Sequence, residues 1–155
     1  MLRIAAALFA VMCALGSGLA AAAAELPKGH VMLAKTQPKI VLIWDATPAV
    51  ADLVDAKKSP DDMLRALEAN AIEIMAARPE GRPSQGMSIR VVYQRTAALN
   101  PAYASATLQG VEKLFTIDAP RADVVKNAHA WKDQLAGGST PMGLTVTITG
   151  KLPGQ

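Results

Sequence analysis

One run constrains this fold more than any other. From Ile40 to Trp44 every residue is apolar and several are β-branched, so an extended chain here is apolar on both faces. A strand of this kind has to be covered on both sides, which places it inside a sheet with other layers packed against it.

The flanking sequence supplies those layers. The run ends at Asp45-Ala46-Thr47-Pro48, and a proline in the first helical turn sacrifices no hydrogen bond, so a short helix is predicted through about Lys57. Ser59-Pro60-Asp61-Asp62 is a stronger start. Ser59 can cap the helix, and the two carboxylates sit at its positive end. That helix should reach Arg78, with Leu64, Leu67, Ala71, Ile74 and Met75 facing inward and Arg65, Glu68 and Glu73 mostly off the stripe. Pro79 to Gly86 reads as a solvated linker, set by its prolines and glycines.

Strand patterning follows. Met87, Ile89, Val91 and Tyr93 alternate with Ser88, Arg90, Val92 and Gln94, predicting a strand to Thr96 with one face more buried. Asn100-Pro101 marks a turn, and Tyr103 to Ile117 a returning strand with a bulge at Gly110. Asp118-Ala119-Pro120 opens a second long helix, striped by Val124, Ala128, Trp131 and Leu135 and stopped at Gly137-Gly138. Leu144, Val146 and Ile148 alternate with threonines in a last strand. With right-handed crossovers, the order β-α(α)-β-β-α-β predicts an α+β, ferredoxin-like split βαβ arrangement. It has a four-stranded antiparallel sheet with helices on one face. Residues 38–152 form this domain. Residues 25–37 are an irregular lead-in, or an extra edge strand through Val31-Met32-Leu33.

Residues 1–24 carry an address. Arg3 is followed by an apolar run from Ile4 to Leu15 and by small residues from Ala20 to Ala24, the pattern of a cleaved signal peptide. The expected location is periplasmic or secreted, with the mature chain starting near Glu25 and a membrane tie only through an uncleaved signal. The single cysteine, Cys13, lies within that segment, and Ala10-Val11-Met12 before it do not fit a lipid-attachment motif. A mature chain without thiols forms no disulfide and has no thiolate metal site or cysteine nucleophile. The formal net charge is +3, including Arg3, and this weak charge together with export argues against nucleic acid as a partner.

Five residues are candidates for contact with a ligand or partner. Trp44, Asp45 and Thr47 lie where a strand ends beside a helix start, a common binding position where free amides can hold an anion. A core tryptophan and a helix cap explain the same residues. Arg90, with Arg78, Arg82 and Arg95 nearby in sequence, can form a basic sheet-face patch for an anionic head group or acidic partner, or can be simply solvated. His129 sits at the edge of its helix stripe with Asp133 four residues on. That is a general base in the catalytic reading and a surface pair in the structural one. His30 and Met32 share one side of an extended segment and suit copper, though two ligands define no geometry. Gly137 to Gly143 has the composition of a phosphate loop but leaves a helix end and enters a strand, so it reads as a rim loop, and no cofactor is expected.

No catalytic spacing accompanies these residues. The sequence therefore favours an exported, non-enzymatic binding or accessory protein, meeting a protein, a small molecule or a second copy of itself through an open sheet face. The alternatives are a small periplasmic hydrolase or isomerase centred on His129 and a copper metallochaperone using His30 and Met32.

Overall fold

Strand-forming and helix-forming segments alternate along the chain, and the computed structural model describes residues 25–94 and 111–155. In order they are β1 (His30–Lys35), β2 (Ile40–Asp45), α1 (Thr47–Asp55), α2 (Pro60–Ala77), β3 (Gly86–Gln94), β4 (Val111–Pro120), α3 (Arg121–Ala136) and β5 (Thr145–Ile148). The expected signal segment with Cys13, Arg95, the Asn100-Pro101 turn and Gly110 lie outside the described residues.

The five strands form one mixed sheet in the order β1-β2-β3-β4-β5. β2 and β3 are parallel, and the other three pairings are antiparallel. The architecture is α+β, but the four-stranded antiparallel ferredoxin-like sheet expected from the sequence is wrong. Two local events account for the difference. β1 folds back on β2 and fills the edge that a returning last strand would need, so β3 pairs directly with β2 across the α1–α2 crossover. At the other end, the connection from α3 travels back along the domain before β5 starts. Thr145 therefore pairs with Asp118 near the end of β4, and β5 runs antiparallel to its own neighbour instead of crossing the sheet.

The core lies on the helix-covered face. Ile40, Leu42 and Trp44 of β2 stand beside Met87, Ile89 and Val91 of β3, and Phe115 and Ile117 of β4 continue the layer. Leu67, Ala71, Ile74 and Met75 of α2 and Val124, Trp131 and Leu135 of α3 close over them. α2 starts where its cap requires: the Ser59 hydroxyl accepts from the Asp62 amide at 3.2 Å and donates to the Asp62 carboxylate at 2.8 Å. Contacts between Arg121 and Arg78, Lys132 and Glu73, and Gly138 and Arg65 run in opposite senses along α2 and α3, so the two helices are antiparallel.

β4 contains a bulge. Val91 pairs with Phe115 and Val92 with Lys113, leaving Leu114 as the extra residue. Its freed carbonyl accepts from the amides of Thr149 at 2.8 Å and Gly150 at 3.0 Å, which brings the chain after β5 across this end of the sheet. A side chain at Gly150 would bring Cβ to 2.3 Å from the Lys113 carbonyl oxygen, so only glycine passes here.

Most of Pro79–Gly86 is exposed, as its composition suggests, but one residue in it is buried and bonded. Gln85 is buried, and its amide joins three segments: it accepts from Arg82 N at 2.7 Å and donates to the carbonyls of Thr36 and Pro38 at 2.9 and 3.4 Å. Its backbone oxygen accepts from Arg121 N at the start of α3. Gly81 has φ +89°, and a Cβ there would overlap the side chain of Ile40.

Candidate functional site

The residues singled out from the sequence do not converge. Trp44 is fully buried, and its indole N–H donates to the Lys28 carbonyl at 3.2 Å. Asp45 Oδ1 accepts from the amide of Thr47 at 3.0 Å and from its hydroxyl at 2.5 Å, while that hydroxyl accepts from Gln94 N at 3.0 Å. Asp45 and Thr47 therefore hold the first turn of α1 to the end of β3, and the Thr47 hydroxyl is used in both directions. Arg90 lies across the sheet in a row with Met32, Ile43, Thr116 and Thr147, on the face away from the helices. Its Nε is buried without a hydrogen-bond partner. The centre of that face is not open, since Ser88 and Val92 are buried on either side of Arg90.

His129 projects from α3 into solvent, its side chain 93% exposed, with Nε2 3.6 Å from the Asp133 carboxylate. The groove beside it holds about 180 Å³ between Glu73, Ala76, Ala128 and Lys132 and is already spanned by the Lys132–Glu73 ion pair at 3.1 Å. His30 pairs in register with Asp45, and Met32 with Ile43. Among the described residues no three His, Cys, Asp or Glu side chains cluster as a metal centre requires.

A different place gathers polar chemistry. The first half of α2 and the 138–140 loop after α3 border an open cleft of about 350 Å³, lined by Asp61, Leu64, Arg65, Glu68, Gly138, Ser139 and Thr140. Glu68 is the unusual member. It is 9% exposed, on a helix packed by the sheet on one side and α3 on the other, and among the described residues no group donates a hydrogen bond to its carboxyl. Burial pushes the Glu68 carboxyl above its ordinary 4.5, and the charge of Arg65 opposes this in part. Arg65 extends over Gly138, whose φ of +84° and missing side chain leave the space: a Cβ there would lie 2.8 Å from the guanidinium carbon. Gly137, Gly138 and Ser139 donate their amides to the last carbonyls of α3, so the loop is fixed by the helix end rather than loosely hung.

Sequence reasoning missed Glu68 because one inward stripe was drawn on α2. The signal that finds it is the width of the apolar surface. Met63, Ala69 and Ile72 are buried as well as the stripe, so α2 is covered over most of its circumference and a charged residue between them has little open side left. The loop taken as a rim does form one wall of this cleft.

Glu68 also makes stability depend on pH. A carboxyl raised in the folded state stays protonated more readily than in the unfolded chain. Below the ordinary carboxylate range both states hold the proton and no penalty exists; above the folded-state value the penalty is complete. Relative to the wild type, Glu68→Gln should therefore gain stability between pH 4 and pH 7, read as the difference in thermal midpoint at the two pH values. A difference that is flat or falls with pH would show that the folded protein holds Glu68 no less ionised than the unfolded chain does.

No protein-family model, curated protein or solved structure matches this chain, so its functional reading rests on the geometry of the cleft.

Proposed function

We propose that this protein is a small exported binding protein that holds a small polar molecule in the cleft between α2 and the 138–140 loop and carries out no chemistry on it. The observation that supports this is Glu68, a largely buried carboxyl that lines the cleft, reaches solvent only there and has no donor among the described residues. Such a group costs free energy to bury, and a ligand that brings donors offsets that cost. The accessory reading made from the sequence is kept, with the cleft taking the place of the sheet face.

One observation favours catalysis instead, because a carboxyl raised by burial is what a general acid needs. The rest of the wall argues against it. Neither the Ser139 nor the Thr140 hydroxyl is hydrogen-bonded to a base among the described residues, so no activated nucleophile stands beside Glu68.

Native mass spectrometry of the protein recovered from an exporting host tests both halves. The expected mass begins near Glu25 and carries one noncovalent small molecule that is unchanged after incubation. An intact N-terminus overturns export, conversion of the molecule overturns the non-enzymatic reading, and an apo mass overturns the small-ligand reading. His129→Ala should leave the adduct in place and change stability by less than about 0.5 kcal/mol, as for other exposed positions. Loss of the adduct in that variant would return the site to α3.

A further inference from the structure

We propose that the free edge of β5 is where two copies of this chain meet, the two β5 strands pairing antiparallel about a two-fold axis at Thr147 and joining two sheets into one. The contact uses none of the residues that line the cleft, so it stands or falls apart from the binding reading.

β5 is an edge strand whose outer hydrogen-bonding side is open. The Thr149 amide donates to the Leu114 carbonyl, and Thr147 and Thr145 pair with Thr116 and Asp118 in the same register. Backbone groups alternate in direction along an antiparallel strand, so these odd-numbered residues face β4. The N–H and C=O of Val146 and Ile148 therefore point out of the sheet, and among the described residues nothing pairs with them. The side chains are open as well. Thr145 and Thr147 are exposed, and Ile148 is 56% exposed although it stands beside the buried Phe115.

Native sheets defend an edge with charge, proline or a bulge. β1, the opposite edge, has such a defence: its register shifts between Leu33 and Lys35, and Lys35 puts a charge on the strand. Gly143 to Gly150 has none. It contains no charged residue and no proline, and its ladder to β4 is regular.

Symmetry selects a second copy as the occupant and sets the register. With the axis at Thr147, Val146 of each copy lies opposite Ile148 of the other, and every outward N–H and C=O of these residues gains a partner. Val146 and Ile148 stand on the same face as Ile117 and Phe115, so the pairing covers the exposed Ile148 with apolar surface. Thr147 meets its own copy on the other face, and Thr145 meets Thr149. No like charges come face to face, the usual bar to a strand pairing with itself. An axis at Val146 would instead set Ile148 against Leu144, which is buried and whose amide already donates to the Pro141 carbonyl. One short strand per copy is less than a standard protein interface, so the dimer is reversible, with a dissociation constant of roughly 10⁻⁶–10⁻⁴ M.

Sedimentation velocity of the protein recovered from an exporting host, run from low micromolar to near-millimolar concentration, should show a monomer–dimer equilibrium. Thr147→Lys sets two ammonium groups against each other on the axis and should abolish the dimer. Thr147 is exposed, so the variant keeps its fold, checked by circular dichroism. Cross-linking reads the register. Cys13 is the single cysteine, so in a Cys13→Ser background a substituted thiol stands alone. At the axis, Thr147 faces itself in a non-hydrogen-bonded pair, with Cα atoms about 4.5 Å apart and within disulfide reach. Thr147→Cys should therefore form a disulfide-linked dimer on mild oxidation. Thr145→Cys, which faces Thr149 of the other copy rather than itself, should not. A monomer at every concentration overturns the proposal. So does a dimer that Thr147→Lys leaves intact, or equal cross-linking from positions 145 and 147.

Discussion

Trp44→Ala lowers the free energy of unfolding by about 3–5 kcal/mol, the usual result of emptying an aromatic site in a packed core. The side chain is fully buried at the end of β2, between Val31 of β1 and Val91 of β3 in register. Its indole N–H holds the Lys28 carbonyl, and Gly29 lies so close to the ring that a Cβ there would fall 2.5 Å from the indole nitrogen. The loss therefore combines a cavity with an unpaired carbonyl. Total stabilities are about 5–15 kcal/mol, so the variant sits near the edge of folding. Trp44→Phe keeps most of the volume, loses the hydrogen bond and costs less, about 1–2 kcal/mol. Urea unfolding followed by circular dichroism reads both. A cost below about 1 kcal/mol for Trp44→Ala would mean that the indole belongs to a contact surface, as its position at a strand end first suggested.

Trp44 shows how sequence and structure divide the information. That Ile40–Trp44 is an inner strand was legible, because an unbroken apolar run cannot be exposed on either face. The start of α2 was legible too, since Ser59 and Asp62 make their cap within four residues. Both are local. The sheet order was not legible, because it depends on which distant edges are already occupied. The edge strand offered as one alternative through Val31-Met32-Leu33 is present as β1, but its pattern does not say which strand it joins, and its pairing with β2 sets where the later strands go. The 137–144 connection reads as flexible from its glycines, but Pro141 and Leu144 are buried along it and its path decides that β5 pairs with β4. The extension of β4 through Asp118 and Ala119, where a helix start was expected, has the same origin. Those residues gain partners in Ser88 and Met87 that a helix would forfeit.

The cleft was legible only in pieces. Asp61, Arg65 and Glu68 fall at helical spacing on α2, which is visible in the sequence, and the 138–140 loop was read as a rim. What joins them is the antiparallel packing of α3 on α2, a tertiary contact that no periodicity encodes. The consequence for Glu68 is chemical as well as geometric. The same carboxyl on a solvated face would titrate normally, whereas burial on α2 beside α3 gives it a desolvation cost.

Gln85→Leu lowers the free energy of unfolding by about 2–4 kcal/mol, although the new side chain is of similar size and more apolar. The cost comes from the backbone groups left behind. The Arg82 amide and the carbonyls of Thr36 and Pro38, in part-buried bonds, lose their partner together, and each lost hydrogen bond removes about 0.5–1.5 kcal/mol. Gln85→Glu keeps the acceptor for Arg82 N but places a carboxylate against two carbonyl oxygens, so it should be destabilised as well, and less so when acid protonates it. In hydrogen exchange the Arg82 amide should be protected in the wild type and exchange quickly in Gln85→Leu. A truly solvated linker would give a change within about 0.5 kcal/mol and an unprotected amide in both proteins. The effect should also spread beyond the loop. The Gln85 side chain ties the loop to the β1–β2 turn, whereas its bond to Arg121 N is made by the backbone and stays in the variant, so loss of the side chain loosens the edge pairing. Weaker protection of the β1 amides in Gln85→Leu is the result that ties this one side chain to the topology.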